Sequence, residues 1–187
     1  MDFVQDHIRY QRKGHRGKSE LIAKALGLDK KTDRVIDATV GLAGDALFLV
    51  QLGYSVLGFE RSPLVYLLLQ DAIFRWNKAK RDSTGDFKVQ FQDSILGFEE
   101  KNVKAIYIDP MFPEKKKTAL PKKEMQIFKK WIGEDLDGEE LLKIALRSEA
   151  ERVVVKRPLK AEALLPGVVH SFKGTTVRYD LYTPRST

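Results

Sequence analysis

Short apolar runs alternate with segments of helical periodicity along most of the chain. The runs that predict strands are rich in aliphatic residues and lie at 35–39, 54–59, 87–91, 105–108 and 152–156. Apolar residues at helical spacing predict a long helix after Ser62-Pro63 and further helices over 19–26, 46–52, 123–131 and 139–148. Strands that alternate with helices indicate an α/β fold with a mostly parallel central sheet and helices on both faces.

Two features near the chain ends complete the predicted organisation. Runs at 168–172 and 176–182 flank Gly174, and their short separation predicts a hairpin that forms an antiparallel C-terminal edge of the sheet. Residues 1–18 lack apolar periodicity and are rich in Lys and Arg, so they indicate a basic N-terminal arm before one folded domain over 19–187. In open α/β sheets, ligands bind beyond the carboxyl ends of the strands.

A glycine turn and two acids follow the first predicted strand. Gly41 and Gly44 lie where a tight turn into a helix often needs glycine for backbone reasons alone. Asp37 and Asp45 flank this turn, and carboxylates there would repel the pyrophosphate of a dinucleotide. They would instead favour S-adenosylmethionine, which has no phosphate and carries an ammonium and a sulfonium. The turn and its acids therefore indicate a site for that cofactor.

The next three strand ends each carry an acid. Glu60 follows the second strand, 23 residues after Asp37. This spacing is close to the interval of about 20 residues at which an acid binds ribose hydroxyls in nucleotide-binding sheets. Asp93 follows the third strand and Asp109 the fourth. A single acid of this kind is often a solvated loop residue, but acids at four strand ends favour one shared site.

The fourth strand ends in a motif suited to binding an amine, Asp109-Pro110-Met111-Phe112. Pro110 fixes its own backbone angle and restricts its neighbour, so a carboxylate, a carbonyl and a ring project from one rigid turn. Asp109 and the Pro110 carbonyl can accept hydrogen bonds from the exocyclic amine of a base, on which Phe112 can stack. The plain alternative is a turn with a buried phenylalanine.

The overall charge is basic, with 33 Lys and Arg against 26 Asp and Glu and a formal charge of +7. Such a balance is compatible with a nucleic-acid partner, although a run of lysines is usually a solvated face. Here the densest run adjoins the proposed reactive turn. The residues predicted to contact RNA phosphates are Arg9, Arg12, Lys13, Arg16, Lys115, Lys116, Lys117, Lys122, Lys123, Lys156 and Arg157.

Other kinds of chemistry find no support in the sequence. The chain has no cysteine, which excludes disulfides, thiolate catalysis and cysteine-ligated metals. His7, His15 and His170 lack the spacing of a metal site. No apolar run approaches the ~18 residues of a membrane span, and the first residues do not lead into a signal peptide. We therefore expect a cytoplasmic protein that uses neither a metal nor a membrane.

Several motifs together give the chain a family resemblance. It resembles the Rossmann-like S-adenosylmethionine-dependent methyltransferases, and most closely the bacterial small-subunit ribosomal RNA methyltransferase J family, which modifies guanine at N2. The similarity covers roughly residues 9–183. Its most specific segments are DATVGLAGDA at 37–46, ERSP at 60–63, YIDPMFP at 107–113, KKEM at 122–125 and VVVKRP at 153–158.

The resemblance implies a Rossmann-like methyltransferase fold and assigns roles to residues. Residues 109–112 would face the target guanine, and Ala43-Gly44 stands where family members often have Gly-Arg. The implied activity is methylation of the N2 amine of a guanine in small-subunit ribosomal RNA, either as naked RNA or in the assembling 30S subunit. The implied cofactor pocket is lined by Gly44, Asp45, Glu60, Arg61, Asp93, Ser94 and Asp109.

Two other functions stay open on the residues alone. A carboxylate, a carbonyl and an aromatic ring would serve adenine N6 or an amine in DNA equally well, and only the resemblance favours guanine. A non-catalytic RNA-binding or ribosome-assembly protein would need the basic surface but only a vestigial cofactor pocket. The acids at every expected strand end disfavour this second alternative.

Overall fold

The computed structural model describes Phe3 and residues 16–30, 32–79, 85–110 and 137–184. The helix predicted over 123–131 lies outside these residues. The helices among them are α1 (Arg16–Leu26), α2 (Gly44–Gln51), α3 (Pro63–Ala79) and α4 (Gly138–Ala145). The strands are β1 (Arg34–Asp37), β2 (Ser55–Glu60), β3 (Phe87–Phe91), β4 (Ala105–Ile108), β5 (Arg152–Pro158), β6 (His170–Lys173) and β7 (Val177–Tyr182).

The described strands form one seven-stranded sheet in the order β3-β2-β1-β4-β5-β7-β6. β1 pairs in parallel with β2 and β4, and the parallel pairing continues to β3 on one side and β5 on the other. β7 runs antiparallel to both β5 and the edge strand β6. The prediction of a mostly parallel sheet with an antiparallel C-terminal edge is confirmed. Strand order reverses between β1 and β4, which creates the crevice where such sheets bind ligands.

Both faces of the sheet are buried, because alternate residues of a strand point to opposite faces. In β4, Ala105 and Tyr107 pack on one face, and Ile106 and Ile108 pack on the other. Residues of α1, α2 and α3 cover the first face, and residues of α4 cover the second. Helices therefore lie on both faces, as the sequence predicted. This double burial also explains the continuous apolar runs of the central strands β4 and β5.

Most element boundaries agree with the predictions to within two residues, and the larger differences occur in two helices. α1 begins at Arg16, so the end of the predicted basic arm is helical. Gly17 lies in its first turn, before the helix interior in which glycine is most destabilising. α4 ends at Ala145, whose carbonyl accepts both the backbone N–H of Ser148 at 3.1 Å and the Ser148 hydroxyl at 2.7 Å in a tighter turn than that of an α-helix.

One glycine allows the turn after β1 to pack close to the sheet. Gly58 lies in β2, and a Cβ atom at this position would stand 2.7 Å from a methyl carbon of Val40. Val40 donates its backbone N–H to the Phe59 carbonyl at 3.3 Å. The close approach therefore holds the turn over the carboxyl ends of β1 and β2, where the predicted acids lie.

Candidate active site

A cavity of about 310 Å³ opens at the carboxyl ends of β1, β2, β3 and β4. It lies at the reversal of strand order, and its volume is at the lower end of the range of small-molecule sites. Pro110 of the predicted reactive turn lines it. So do all of the residues predicted to bind a cofactor, which are Asp37, Gly41, Gly44, Asp45, Glu60, Arg61, Asp93, Ser94 and Asp109.

Thr39 connects β1 to the turn that follows β4. Its backbone N–H donates to Oδ1 of Asp37 at 3.1 Å. Its hydroxyl oxygen accepts the backbone N–H of Asp109 at 2.7 Å. The two bonds fix the start of the Asp109-Pro110 turn against the end of β1. The sequence did not single out Thr39, because a hydroxyl beside a turn has many possible local partners.

Four polar side chains meet in the cavity. Lys156 Nζ lies 2.7 Å from Asp45 Oδ2 and 2.8 Å from Asp109 Oδ2. The Tyr107 hydroxyl donates to the same Asp45 oxygen at 2.6 Å. The side chains of Asp45 and Asp109 are 33% and 37% exposed, so water reaches both carboxylates. One ammonium thus bridges a carboxylate from α2 and a carboxylate from the end of β4.

The structure places Lys156 and Arg157, which were both predicted to contact RNA phosphates, in two different surroundings, and their contact with RNA stays a prediction. Lys156 points into the cavity, where its ammonium is paired with Asp45 and Asp109. Arg157 is 9% exposed and donates through Nε to the Glu162 carbonyl at 2.9 Å. Adjacent residues of a strand point to opposite faces, so these two side chains lie on different faces of the sheet.

The network determines the protonation states of two of its members. Burial disfavours the ammonium form of Lys156, but Asp109 and Asp45 outweigh this effect and raise the pKa of Lys156 above its ordinary value. Burial, Asp109 and Asp45 raise the pKa of the Tyr107 hydroxyl well above its ordinary value. At neutral pH Lys156 is therefore a cation and Tyr107 a hydrogen-bond donor, and neither is suited to act as a general base.

Asp37 is the most deeply buried acid at the cavity, with 3% of its surface exposed. Burial raises the pKa of Asp37 to about 8, although the hydrogen bond from Thr39 opposes the rise. The negative charges of Asp45 and Asp109 raise it further, and Lys156 lowers it. At neutral pH this carboxyl is mostly protonated, so it presents an O–H group and little charge to the cavity.

We expect Asp37 to make the folded protein less stable as the pH rises. The folded state keeps the Asp37 proton up to about pH 8, whereas the unfolded chain releases it near the ordinary pKa of 3.8. Between these values the free energy of unfolding falls with increasing pH. Asp37→Asn has no proton to lose, and its amide oxygen can still accept the Thr39 N–H. From pH 5 to 8.5 the variant should gain about 3–4 kcal/mol over the wild type, because this range covers about three pH units at ~1.4 kcal/mol each.

Urea denaturation of the two proteins at several pH values measures this difference. The prediction concerns how the difference in unfolding free energy between the two proteins changes with pH. A constant difference caused by the substitution itself does not affect it. Parallel curves of unfolding free energy against pH would show that Asp37 does not titrate over this range.

The end of β2 contributes an acid and an ion pair to the cavity wall. Glu60 is 6% exposed, and its Oε1 accepts the backbone N–H of Ser62 at 2.7 Å. Arg61 Nη1 lies 2.6 Å from Asp137 Oδ2, and both residues line the cavity. Asp137 precedes α4, so the pair links the end of β2 to the start of that helix. The sequence did not indicate Asp137, which lies in a loop and not at a strand end.

Asp93 and Ser94 hold the end of β3 in place. Asp93 Oδ1 accepts the backbone N–H of Ile95 at 3.2 Å and caps a short 3₁₀ helix over Ser94–Leu96. The buried Ser94 hydroxyl donates to the Ala38 carbonyl at 2.6 Å, which ties this helix to the end of β1. Both predicted cofactor-binding residues therefore also shape the cavity wall.

The turn after β1 shows why glycine is favoured at some of its positions. Gly41 and Ala43 have φ values of 47° and 58°, in the left-handed region where glycine is least strained. Ala43 therefore adopts a backbone conformation in which glycine would be less strained. A Cβ at Gly44 would meet no atom within 4 Å, so the fold does not demand glycine at that position. Asp45 lies in the first turn of α2, where the helix dipole favours a negative charge.

Part of the predicted RNA surface, and the predicted stacking residue Phe112, lie outside the described residues. Arg16 is the first residue of α1, and its role stays a prediction. Across residues 16–30, 32–79, 85–110 and 137–184, no cluster of three or more acidic and histidine side chains could ligate a metal. In the same part of the chain, no helix has both the length and the apolarity needed to cross a bilayer. The residues predicted to contact RNA phosphates that lie outside the described part are Arg9, Arg12, Lys13, Lys115, Lys116, Lys117, Lys122 and Lys123.

The chain is similar to known proteins over almost its whole length. The family model for SAM-dependent methyltransferases matches residues 1–184. A Bdellovibrio bacteriovorus protein named "Ribosomal RNA small subunit methyltransferase J" is 50% identical over 186 residues, which cover 97% of this chain and 73% of that protein. The chain belongs to the small-subunit ribosomal RNA methyltransferase J family. Another member, from Hahella chejuensis, is 40% identical over 191 residues, covering 99% of this chain and 72% of that protein.

A solved structure supports the same conclusion for the fold. The crystal structure of a SAM-dependent methyltransferase from Neisseria gonorrhoeae superimposes on this methyltransferase with a TM-score of 0.68. The identity is 31%, and the match covers 90% of this chain and 72% of that one. This member of the methyltransferase J family is therefore an enzyme with a Rossmann-like fold that uses S-adenosylmethionine. The fold, enzyme class and cofactor implied by the resemblance are confirmed.

Proposed function

We propose that this chain transfers a methyl group from S-adenosylmethionine to the exocyclic N2 amine of a guanine in small-subunit ribosomal RNA. The observation that carries the proposal is the placement of Asp109 at the cavity beside Pro110, with its carboxylate paired with Lys156 and its backbone N–H bonded to Thr39. The names of the related proteins from Bdellovibrio and Hahella support the RNA class. Such a substrate, free or in the assembling small subunit, implies a cytoplasmic enzyme.

The charges of the cavity fit S-adenosylmethionine. Asp45 and Asp109 are paired with the single ammonium of Lys156, so a second positive charge is electrostatically favoured beside them. Asp45 would hold the amino-acid part of the cofactor, and Glu60 would accept hydrogen bonds from its ribose hydroxyls. Asp93 and Ser94 would line the remainder of the site. The bound cofactor supplies a methyl group that is activated by the sulfonium.

Asp109 and its turn would position the target amine. The Asp109 carboxylate accepts a hydrogen bond from the amine, and it takes the proton that the nitrogen releases after methyl transfer. The Pro110 carbonyl accepts a second hydrogen bond, and Phe112 stacks on the base. The amine lone pair is delocalised into the guanine ring, so orientation and hydrogen bonding contribute more to the rate than removal of a proton beforehand.

The other candidate functions have weaker support. A carboxylate and a carbonyl would also serve adenine N6 or an amine in DNA, but the relatives are named for small-subunit ribosomal RNA. A non-catalytic RNA-binding protein would not need Asp45, Asp109 and Lys156 to form a connected charge network in the cavity. The basic segments at 9–18 and 115–123 would supply the phosphate contacts in the proposed complex with RNA.

We expect Glu60→Ala to weaken S-adenosylmethionine binding by about 10- to 100-fold. The substitution removes a charged acceptor that is 6% exposed at the cavity. Glu60→Gln keeps an acceptor oxygen for the ribose and for the Ser62 N–H, so its loss should be intermediate. Calorimetric titration measures the three affinities, and circular dichroism checks the fold. The exposed Glu149→Ala serves as the control, and an unchanged affinity in folded Glu60→Ala would remove Glu60 from the site.

Transfer of a labelled methyl group tests the substrate class. The purified enzyme is incubated with methyl-labelled S-adenosylmethionine and with small-subunit RNA, or whole small subunits, from cells that lack the gene. We expect label in N2-methylguanosine after digestion to nucleosides. Label in N6-methyladenosine would favour the alternative base, and an absence of label from both RNA preparations would contradict the proposal.

A further inference from the structure

Lys156 is a cation surrounded by acids from three elements. Its ammonium, carried by β5, contacts Asp45 of α2 at 2.7 Å and Asp109 after β4 at 2.8 Å. Asp37 at the end of β1 and Tyr179 of β7 also lie close enough to interact electrostatically with it. Lys156 lies opposite Tyr179 in the antiparallel pairing of β5 with β7, so the sheet fixes the position of the Lys156 backbone.

The ion pair restrains the residue that is proposed to orient the amine. Thr39 holds the backbone of Asp109 through a 2.7 Å hydrogen bond, and Lys156 holds Oδ2 of its carboxylate. Because Lys156 is also tied to Asp45, it cannot follow a moving Asp109 side chain without breaking a second contact. Asp109 is thus held at its backbone and at its carboxylate before a substrate binds. Catalysis by positioning requires this kind of preorganisation.

The reaction also changes the charge next to this network. S-adenosylmethionine carries a sulfonium, and S-adenosylhomocysteine, which remains after methyl transfer, does not. Asp45 and Asp109 therefore favour the form with the methyl group. An ammonium fixed in the same cavity opposes the sulfonium and reduces this preference.

We propose that Lys156 is a positioning residue that holds the Asp109 carboxylate for the target amine and offsets part of the cavity's attraction for the cofactor's positive charge. The first effect rests on the proposed function. The second effect concerns cofactor binding alone and is independent of the RNA substrate. Both effects depend on the positive charge of Lys156 more than on its bulk.

The experiment compares Lys156→Met, which removes the charge and keeps most of the length, with Lys156→Arg, which keeps the charge. Lys160→Met is the matched control, because Lys160 lies exposed just beyond β5. Calorimetry of the full chain gives the Kd for S-adenosylmethionine and for S-adenosylhomocysteine. Methyl transfer to small-subunit RNA gives kcat and the KM for the cofactor.

In Lys156→Met we expect the preference for S-adenosylmethionine over S-adenosylhomocysteine to rise on the order of tenfold. We expect kcat to fall about 10- to 100-fold without an increase in the KM for the cofactor. Lys156→Arg should return the preference to near the wild-type value, and Lys160→Met should change neither quantity. Lys156→Gln provides the same test if Lys156→Met does not fold.

Equal weakening of both cofactor forms in Lys156→Met would indicate a merely structural role and would overturn the proposal. An unchanged preference in a folded, charge-free variant would overturn it as well. Failure of the proposed function has a different signature. In that case the wild type would still show a cofactor preference that depends on Lys156, but it would not methylate small-subunit RNA.

Discussion

Replacing Asp109 with alanine is expected to lower kcat for methylation of small-subunit RNA by about 10²–10³-fold. The variant loses the carboxylate that Lys156 holds at 2.8 Å and that orients the target amine in the proposed mechanism. The path of the backbone should persist, because the hydrogen bond from the Asp109 N–H to Thr39 does not involve the Asp109 side chain. Affinity for S-adenosylmethionine should fall by no more than about tenfold, because Asp45 still provides a carboxylate for the positive charge of the cofactor.

Asp109→Asn separates the two contributions of this residue. It keeps an acceptor oxygen of similar geometry but loses the charge and the ion pair with Lys156, so we expect an intermediate loss of about 10- to 10²-fold in kcat. Steady-state kinetics and calorimetric titration provide the two readouts, with exposed Glu149→Ala as the control. Full activity in Asp109→Ala would rule out Asp109 as the group that orients the amine.

The largest expected effect on stability comes from Arg178 in β7. Its guanidinium forms three contacts with the Asp180 carboxylate, from Nε to Oδ1 at 2.8 Å and to Oδ2 at 3.1 Å, and from Nη2 to Oδ2 at 2.9 Å. Asp180 is 1% exposed, and the Ser171 hydroxyl donates to it at 2.6 Å. Arg178 Nη1 also donates to the carbonyl groups of Pro158, Leu159 and Ala161. The side chain thereby joins β7 to the end of β5.

Arg178→Ala would leave the Asp180 charge and three carbonyls without this donor in a buried region. We expect it to reduce the free energy of unfolding by about 3–5 kcal/mol, a fall in Tm of roughly 10 °C for a chain of this length. Arg75→Ala is the control, because Arg75 makes an exposed ion pair with Asp71 whose loss should cost less than about 1 kcal/mol. Denaturation by urea and by heat measures both variants. Similar losses in the two would show that the Arg178 contacts contribute little.

The parallel core of the fold could be predicted because its strands are buried on both faces. β3 and β4 were predicted with the bounds that the structure shows: β4 is a continuous apolar run, and the edge strand β3 alternates apolar and polar residues. The C-terminal hairpin was also predicted, but the insertion of β7 between β5 and β6 was not. That order depends on contacts between distant residues, such as those of Arg178 with the carbonyls after β5. Helix ends depend instead on local side-chain contacts, such as that of the Ser148 hydroxyl at the end of α4.

The acids of the site could be predicted because the carboxyl ends of parallel strands converge at one edge of the sheet. Their partners could not be predicted in this way. Lys156 contacts Asp109, which is 47 residues away in sequence, and Asp45, which is 111 residues away. Because Arg157 follows Lys156 directly, the sequence favoured the interpretation of an exposed basic dipeptide. Tyr107 sits in an aliphatic strand, and its hydroxyl reaches an acid 62 residues away. Only the assembled sheet shows these pairings.

Nucleoside mass spectrometry of ribosomal RNA from cells with and without the gene tests the proposed activity most directly. We predict that deletion removes N2-methylguanosine from a site in small-subunit RNA. The wild-type gene should restore this modification, and a gene that carries Asp109→Ala should not. If the N2-methylguanosine content of small-subunit RNA is the same in the two strains, the proposed activity of this methyltransferase is wrong.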